Sequence, residues 1–324
     1  MGGIGIVNNP RAARNRRLPG TGARLARLLG DEGQVLDADT PEGLERALGA
    51  FRAAGVDTLA VNGGDGTCHR VLTAAAAAFG PGALPRLLTL RGGTMNTLAT
   101  NHGLRGTPEE LLEAELLRRR AGLPEAAVER DLLRVEPEGG PPVLGFLFGT
   151  GAAVTFLDRF YASPRPSPLR AWLLVARAAG SALLGGAFGR SLTRREPLRV
   201  ESDGDGWADQ GYLTLLAGTV PSLGLGFQAL SRCAEQPGFF HAVGVHGSLP
   251  QLLRLLPRVH RGAPWRRRAA LDVVARTLTL EGEGVRFMVD GDLYPAARRL
   301  RLSIGPGVRV LVPPRPARRP GGAV

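Results

Sequence analysis

Three short stretches hold the residues able to do chemistry. Residues 59–69 read LAVNGGDGTCH, in which Gly63, Gly64 and Gly66 surround Asp65 and Thr67 follows. An apolar strand, a glycine turn able to take φ > 0 and a helix N-terminus present bare N–H groups that a phosphate can approach closely. Asp65 is the odd member, because its charge repels phosphate. It makes sense if a divalent cation, or a hydroxyl awaiting deprotonation, lies between them. The plain alternative is a capped turn in which Asp65 bonds local amides. Residues 87–99, LLTLRGGTMNTLA, repeat the arrangement one βα unit later, with Gly92 and Gly93 in the turn and Thr94 and Asn96 at the helix start. Two such turns at the carboxyl ends of neighbouring strands form the crevice where α/β sheets bind ligands. In residues 287–293, FMVDGDL, Asp290 and Asp292 flank Gly291. The pair converges on one site as metal or general-base groups, or else makes a hairpin turn with a favoured Asp-Gly pair.

The elements that must position these residues change character along the chain. Strands are expected at Gly3–Asn8, Gln34–Asp37, Asp57–Val61 and Arg86–Leu90. They alternate with helices at Thr21–Leu29, Pro41–Ala54 (capped by Thr40), Cys68–Phe79 and from Asn96. That alternation argues for an open parallel sheet. From Arg130 the runs DLLRV, VLGFLFGTG, LRVES, GYLTLLAG, FFHAVGVH, TLTLEGEG, RFMVDGDL and RRLRLSIG read as a largely antiparallel β domain, with helical insertions near Leu169–Leu184 and Leu249–His260. The division is therefore 1–128, an α/β domain; 129–312, a β-rich domain; and 313–324, a flexible tail.

Composition narrows the chemistry. The formal net charge is +12 and no residue is lysine, so a Walker P-loop, a protein-kinase strand lysine and a pyridoxal Schiff base are all excluded. Arginine grips phosphate bidentately, and its surplus suits an anionic partner. Two cysteines give no framework, and GIGIVNNP opens without a charged leader or signal core, so a cytoplasmic chain is expected. The apolar run Ala171–Gly189 is interrupted by Arg177, which favours a buried or half-buried helix over a membrane span. The runs Arg194–Arg195, Arg266–Arg268 and Arg298–Arg301 lack aromatic interleaving or a recognition-helix pattern. No nucleic-acid partner is expected, and an anionic membrane surface fits them better.

VNGGDGT, GGTMNTLA and VDGDL, in that order after IVNNPRA, resemble the diacylglycerol kinase catalytic-domain family, which includes bacterial soluble lipid kinases and sphingosine and ceramide kinases. The likeness runs from Ile4 to about Val312; GGDGT alone is shared with NAD kinases and phosphofructokinases. It implies an N-terminal α/β domain and a C-terminal mainly antiparallel β-sandwich, with ATP in the interdomain cleft. Asn8, Asn9, Thr40, Gly63, Gly64, Asp65, Gly66, Thr67, Thr94 and Asn96 would line the nucleotide site. Asp65 would lie on the magnesium side and serve catalysis. Asp292 would stand where the family usually has the glutamate of a DGE turn, beside Asp290, and either could be the base. The chain departs from the family at Cys68, His69 and Arg70, and at Pro237, where similar bacterial proteins carry an aspartate for a structural magnesium. The implied activity is an ATP- and Mg2+-dependent lipid kinase, peripherally membrane-associated, with diacylglycerol as default acceptor. A ceramide or sphingoid-base kinase, an NAD kinase and a catalytically silent nucleotide- or membrane-binding relative remain as alternatives, and a homodimer is left open. Phe146, Phe148, Phe156, Phe160, Trp172 and Phe188 serve as lipid pocket or as core.

Overall fold

The computed structural model describes residues 2–80, 82–162, 167–183, 186–208, 211–265 and 269–312. The expected tail and Arg266–Arg268 lie outside the described residues. The chain divides into one unit of residues 1–130 with 307–324, and a second of residues 131–306.

The first unit runs β1 (Ile4–Asn8), α1 (Ala13–Arg17), α2 (Thr21–Leu29), β2 (Gly33–Asp37), α3 (Pro41–Ala53), β3 (Thr58–Asn62), α4 (Asp65–Phe79), β4 (Arg86–Thr89), α5 (Thr97–Asn101) and α6 (Pro108–Arg120). Its strands pair in parallel in the order β4-β3-β1-β2. β1 and β3 are buried along their whole length, which is why they are continuous apolar runs without alternation. The register places Asn8 beside Asp37 on one side and Asn62 on the other, so three polar side chains meet at the carboxyl ends of the strands. Ile4, Ile6, Leu25, Leu29, Ala60, Leu88, Leu111 and Leu112 share the core. α3 starts where Thr40 Oγ1 accepts from Gly43 N at 3.1 Å with Pro41 in the first turn, and α6 where Thr107 and Glu110 form a reciprocal capping box. α6 also buries Glu115, which is paired with Arg118 at 2.7 Å and Arg119 at 2.9 Å, so that charge is not left alone in the interior.

The second unit follows with β5 (Ala127–Pro137), β6 (Val143–Gly145), β7 (Leu147–Thr150), α7 (Ala152–Tyr161), α8 (Pro168–Leu183), α9 (Ala187–Leu192), β8 (Arg199–Ser202), β9 (Asp205–Gly206), β10 (Thr214–Gly218), β11 (Phe240–Val245), α10 (Leu249–His260), β12 (Ala270–Ala275), β13 (Thr277–Val289) and β14 (Asp292–Leu311). Its strands pair antiparallel in the order β12-β11-β10-β7-β13-β14. A parallel α/β part followed by an antiparallel β part is the fold class expected.

Two expectations about elements change. TLTLEGEG and RFMVDGDL are one strand, β13, because the glycines make a bulge between Glu281 and Val285 instead of a turn. Across that bulge β13 exchanges β8 for β7 as its partner. The second domain was expected to continue to Val312, yet the chain rejoins the first unit at Gly307, where Val310 of β14 pairs in parallel with Leu87 of β4. α8 is half-buried on one face only, and Leu169 and Leu173 on the other are 70% and 60% exposed. Of the aromatic residues left between pocket and core, Phe146, Phe148 and Phe160 are core, Phe156 and Phe188 are half-buried and Trp172 is exposed.

Candidate functional site

In the first unit the chain leaves β3 through Gly63 and Gly64, and α4 begins at Asp65, ahead of the expected start. Neither these glycines nor Gly66 has a positive φ. What they supply is room. A Cβ on Gly63 would lie 2.5 Å from the Thr67 Cβ, and one on Gly92 would lie 2.6 Å from Asn62 Oδ1. A Cβ on Gly93 would reach 2.3 Å from the Gly64 Cα. The two glycine turns therefore pack backbone against backbone at the ends of the adjacent parallel strands β3 and β4.

Asp65 joins them. Its carboxylate leaves its own helix and accepts from Thr97 N at 2.9 Å and Leu98 N at 3.0 Å, two first-turn amides of α5 that the helix itself leaves without acceptors. Burial pushes the carboxyl above the ordinary aspartate range, against the Leu98 and Thr97 bonds that favour the ionised form. Asp65 thus bonds amides, as the plain reading expects, but those of the next βα unit. Asn96, at φ 49°, accepts from Gly93 N at 3.0 Å and donates to Gly93 O at 3.1 Å, which closes the second turn on itself. Thr94 lies half-buried in the same turn.

The strand ends form a connected amide network. Asn8 donates to Asp37 at 2.6 Å and accepts from Asn62 at 2.7 Å, while Asn15 donates to the Asn9 and Asn62 carbonyls at 2.8 and 3.1 Å. Asn9 donates to Thr67 Oγ1 at 2.8 Å, and Arg14 N donates to Gly92 O at 3.1 Å, so the segment after β1 touches both turns. Of the residues expected to line a nucleotide site, Asn9, Gly63, Gly64, Asp65, Gly66, Thr67, Thr94 and Asn96 belong to the two turns or touch them. Asn8 lies beneath, buried among the strand ends, and the Thr40 hydroxyl caps α3.

Arg91 and Arg14 were not singled out from the sequence. Arg91, at φ 58°, donates to the Leu104 carbonyl, and burial followed by nearby Arg14 and Arg105 lowers its guanidinium from the usual arginine range. These three cations give the turns a positive field. The available signal was an arginine directly before GGT. Val61, Gly63, Gly64, Asp65, Cys68, Thr89, Arg91, Asn96, Leu98 and Ala99 line a small recess here. The Thr89 hydroxyl and Asn62 Oδ1 are buried without a hydrogen-bond partner among the described residues. No group of three or more His, Cys, Asp or Glu able to hold a cation occurs among the described residues. This donor set suits a magnesium ion that arrives on phosphates, held by one carboxylate, and does not fit a resident all-protein site. His69 is fully buried on α4 as a packing residue, whereas Arg70 is exposed.

In the second unit VDGDL is a hairpin turn in which Val289 faces Asp292, with Asp290 at φ 45° and Gly291 at φ 87°. Two successive positive φ values define the tight turn that the Asp-Gly pair favours. The Asp290 carboxylate accepts from Phe146 N at 3.0 Å and Leu147 N at 2.8 Å, and it is this bonding that splits VLGFLFGTG into β6 and β7. Asp292 is half-buried on the opposite arm. Tyr161 at the end of α7 donates to the Gly291 carbonyl at 2.9 Å. Glu196 was also missed; burial raises its carboxyl, and a bond from Thr150 opposes the shift.

Around Pro237 the turn is held by ion pairs. Arg232 bonds Glu235 at 2.9 Å and Asp272 at 2.7 Å, and buried His241 contacts Asp272 at 2.9 Å. Arg232 N donates to His241 Nδ1, so the proton lies on Nε2 and points to Asp272. Burial would raise Asp272, but His241 and Arg232 together hold its carboxyl below the ordinary range.

Residues 4–122 match the model of the diacylglycerol kinase catalytic domain family. Among curated proteins, none matches the chain. The fold is similar to that of a diacylglycerol kinase from Bacillus anthracis str. Sterne, with TM-score 0.63 at 14% identity over 95% of this chain and 96% of that one. It is also similar to yeast NADH kinase complexed with NADH, with TM-score 0.50 at 11% identity over 96% of this chain and 83% of that one. The resemblance read from the glycine motifs is thus met by the family model over residues 4–122 and by the fold over nearly the whole chain.

Proposed function

We propose that this chain is an ATP-dependent lipid kinase that moves the γ-phosphoryl group of ATP to the hydroxyl of a lipid such as diacylglycerol. The observation that carries the reading is the backbone contact between the Gly63–Gly64 and Gly92–Gly93 turns, beside Arg14, Arg91 and Arg105. Side chains at Gly92 and Gly93 would drive the two turns apart, and the first-turn amides of α4 lack intrahelical acceptors. The family match over residues 4–122 supports a phosphotransferase.

In this reading the amides from Gly64 to Thr67 cradle phosphate oxygens, and Asn9 fixes the Thr67 hydroxyl. Asp65 is a positioning residue: by holding Thr97 and Leu98 it fixes the second turn against the first. Asp65 is the carboxylate of this turn that would hold a magnesium ion brought in on the phosphates, which would supply positive charge against the transferred group. Asp292 is taken as the base because it stands where similar proteins carry the glutamate of this turn, while Asp290 accepts from the Phe146 and Leu147 amides. Asp292 takes the proton of the acceptor hydroxyl as its oxygen attacks phosphorus in line; the bond to the β-phosphate oxygen breaks and ADP leaves. Its side chain is one methylene shorter than the glutamate of similar proteins, so it sits closer to the hydroxyl or acts through one water. The protein would work in the cytoplasm at a membrane surface, and no described helix is long and apolar enough to cross a membrane.

The deciding experiment supplies γ-labelled ATP and total lipid extract to the purified protein, then identifies the labelled product. Phosphatidic acid supports the reading, and a phosphorylated ceramide or sphingoid base moves the acceptor class. Label in a dinucleotide, or ATP binding without transfer to any acceptor, overturns it.

A further inference from the structure

Helix α8 carries apolar side chains on its outer face. Leu169, Trp172, Leu173 and Ala176 recur at the i, i+3, i+4, i+7 spacing of one helix face, and all four are exposed. The packed side is elsewhere: Ala171 is buried, and Leu174 and Val175 are half-buried. At about 100° per residue the outer stripe covers an arc of roughly 100°, and Arg170 and Arg177 fall together along one edge of it. Both arginines are exposed.

The stripe is held in place. Trp172 lies 5.4 Å from the Phe227 ring and 6.1 Å from His260, the last residue of α10, and Phe227 and His260 are 5.3 Å apart. Exposed Arg254, Arg258 and Arg261 follow one face of α10 at spacings of four and three into its C-terminal cap. Among the described residues, no ion pair engages Arg177, Arg254, Arg258 or Arg261. The sequence reinforces this charge. Between Asp158 and Glu196 there are seven arginines and no acid, and between Glu235 and Asp272 six arginines and no acid. These two acid-free stretches meet at the Trp172–His260 contact.

An apolar stripe with exposed cations beside it selects its occupant. A second copy presents the same positive charge and is repelled, and nucleic acid offers phosphates but no apolar phase for leucine side chains. An anionic bilayer supplies both at adjacent depths. We propose that the outer face of α8, with Arg254, Arg258 and Arg261, is the surface by which this protein lies on anionic lipid. Leu169, Trp172 and Leu173 enter the boundary between headgroups and acyl chains, and the arginines bond lipid phosphates and carboxylates. The lipid-kinase reading supplies the purpose of such contact, while the contact itself rests on α8 and α10.

The test is co-sedimentation of the full-length protein, without ATP, with vesicles of phosphatidylcholine alone or mixed with phosphatidylserine. The protein is expected to pellet with the mixed vesicles and not the neutral ones, and the pelleted fraction should fall with added salt as the arginine contribution is screened over about 8 Å. Leu169→Glu combined with Leu173→Glu should weaken binding at least about tenfold at every salt concentration, because the apolar contribution is lost. Arg258→Gln combined with Arg261→Gln should remove only the salt-dependent part, and this second pair keeps the inference testable if the first lowers the melting temperature. Equal binding to both vesicle types, no binding by the wild type, or wild-type binding by both variant pairs overturns the proposal. So does lipid-free self-association that Leu169→Glu with Leu173→Glu abolishes, which would make the face a contact between copies. Vesicle binding without phosphoryl transfer would sink the kinase reading and leave this one standing. Transfer to a dispersed short-chain diacylglycerol without vesicle binding would do the reverse.

Discussion

Gly93→Ala tests whether the two turns must touch. Neither Gly64 nor Gly93 has a positive φ, so alanine at 93 meets no backbone strain and any cost is steric. The new methyl would lie 2.3 Å from the Gly64 Cα, whereas carbon atoms in contact settle about 3.5–4.0 Å apart, so the turns must separate by more than roughly 1 Å. Both sides of that contact are backbone at the ends of buried strands, and no rotamer change relieves it. Overpacking of this kind costs about 1–3 kcal/mol, and the upper half of that range is expected here. A displacement near 1 Å in a positioning element can cost about a hundredfold in rate. Urea denaturation gives the first quantity, and calorimetric ATP titration with initial rates gives the second. Gly49→Ala is the control, since its methyl would meet nothing within 4 Å on α3. It should stabilise by up to about 1 kcal/mol and leave ATP binding alone. If Gly93→Ala matches the control in stability, ATP affinity and rate, the turns do not act as one unit and the phosphate-site argument is wrong.

Asp65→Asn retains one oxygen for two amide donors, so phosphoryl transfer should fall below a tenth of wild type and the Thr97 and Leu98 amides should exchange faster by NMR; rates within about tenfold of wild type would leave Asp65 as a turn residue only. Asp292→Asn should lower kcat at least about a hundredfold with little change in apparent ATP affinity, whereas Asp290→Asn should cost about 1–3 kcal/mol of stability by leaving a Phe146 or Leu147 amide unpaired. The opposite pattern would move the base to Asp290. Asp272 is held below the ordinary carboxylate range, so the stability it contributes is complete above that range and is lost as pH falls through its depressed value. Thermal melts from pH 6 downward should therefore steepen below about pH 4, and Asp272→Asn should flatten that limb. With Arg232 cross-linking the Pro237 turn, EDTA should stop catalysis yet leave the melting temperature of the nucleotide-free protein in place; a large drop would reveal a structural cation.

The parallel half of the fold was legible because its signals are local. Thr21–Leu29 in that half, and Leu249–His260 in the second unit, have the bounds that apolar periodicity and flanking residues indicate. α6 could have been read from Thr107, Pro108 and Glu110, a capping box with proline in the first turn, and β12 from the short β-branched run in ALDVVA. What the sequence withheld depends on distant partners. Nothing near Asp65 indicates that its carboxylate bonds α5, and nothing near Asp290 shows that it faces the Phe146 amide 144 residues away. The apolar run of α8 was read as a buried or half-buried helix without its exposed stripe, because which face is buried depends on what packs beneath the helix. The EGEG glycines carry the same composition for a turn as for a bulge, and only pairing along β13 separates the two.

The pairing of Val310 with Leu87 makes the order of synthesis matter. Without the end of β14, β4 is the open edge of the first unit's sheet, and Val310 and Leu311 are wholly buried when that edge closes. On a ribosome adding about 5–20 residues per second, the edge waits roughly ten to forty seconds after β4 emerges before its last strand is made. The second unit is complete in sequence before the first, so it can fold as a nested insert while its host is unfinished. An exposed strand edge held open for that long is a template for pairing with other nascent chains, and a ribosome stalled near Pro306 would prolong the exposure.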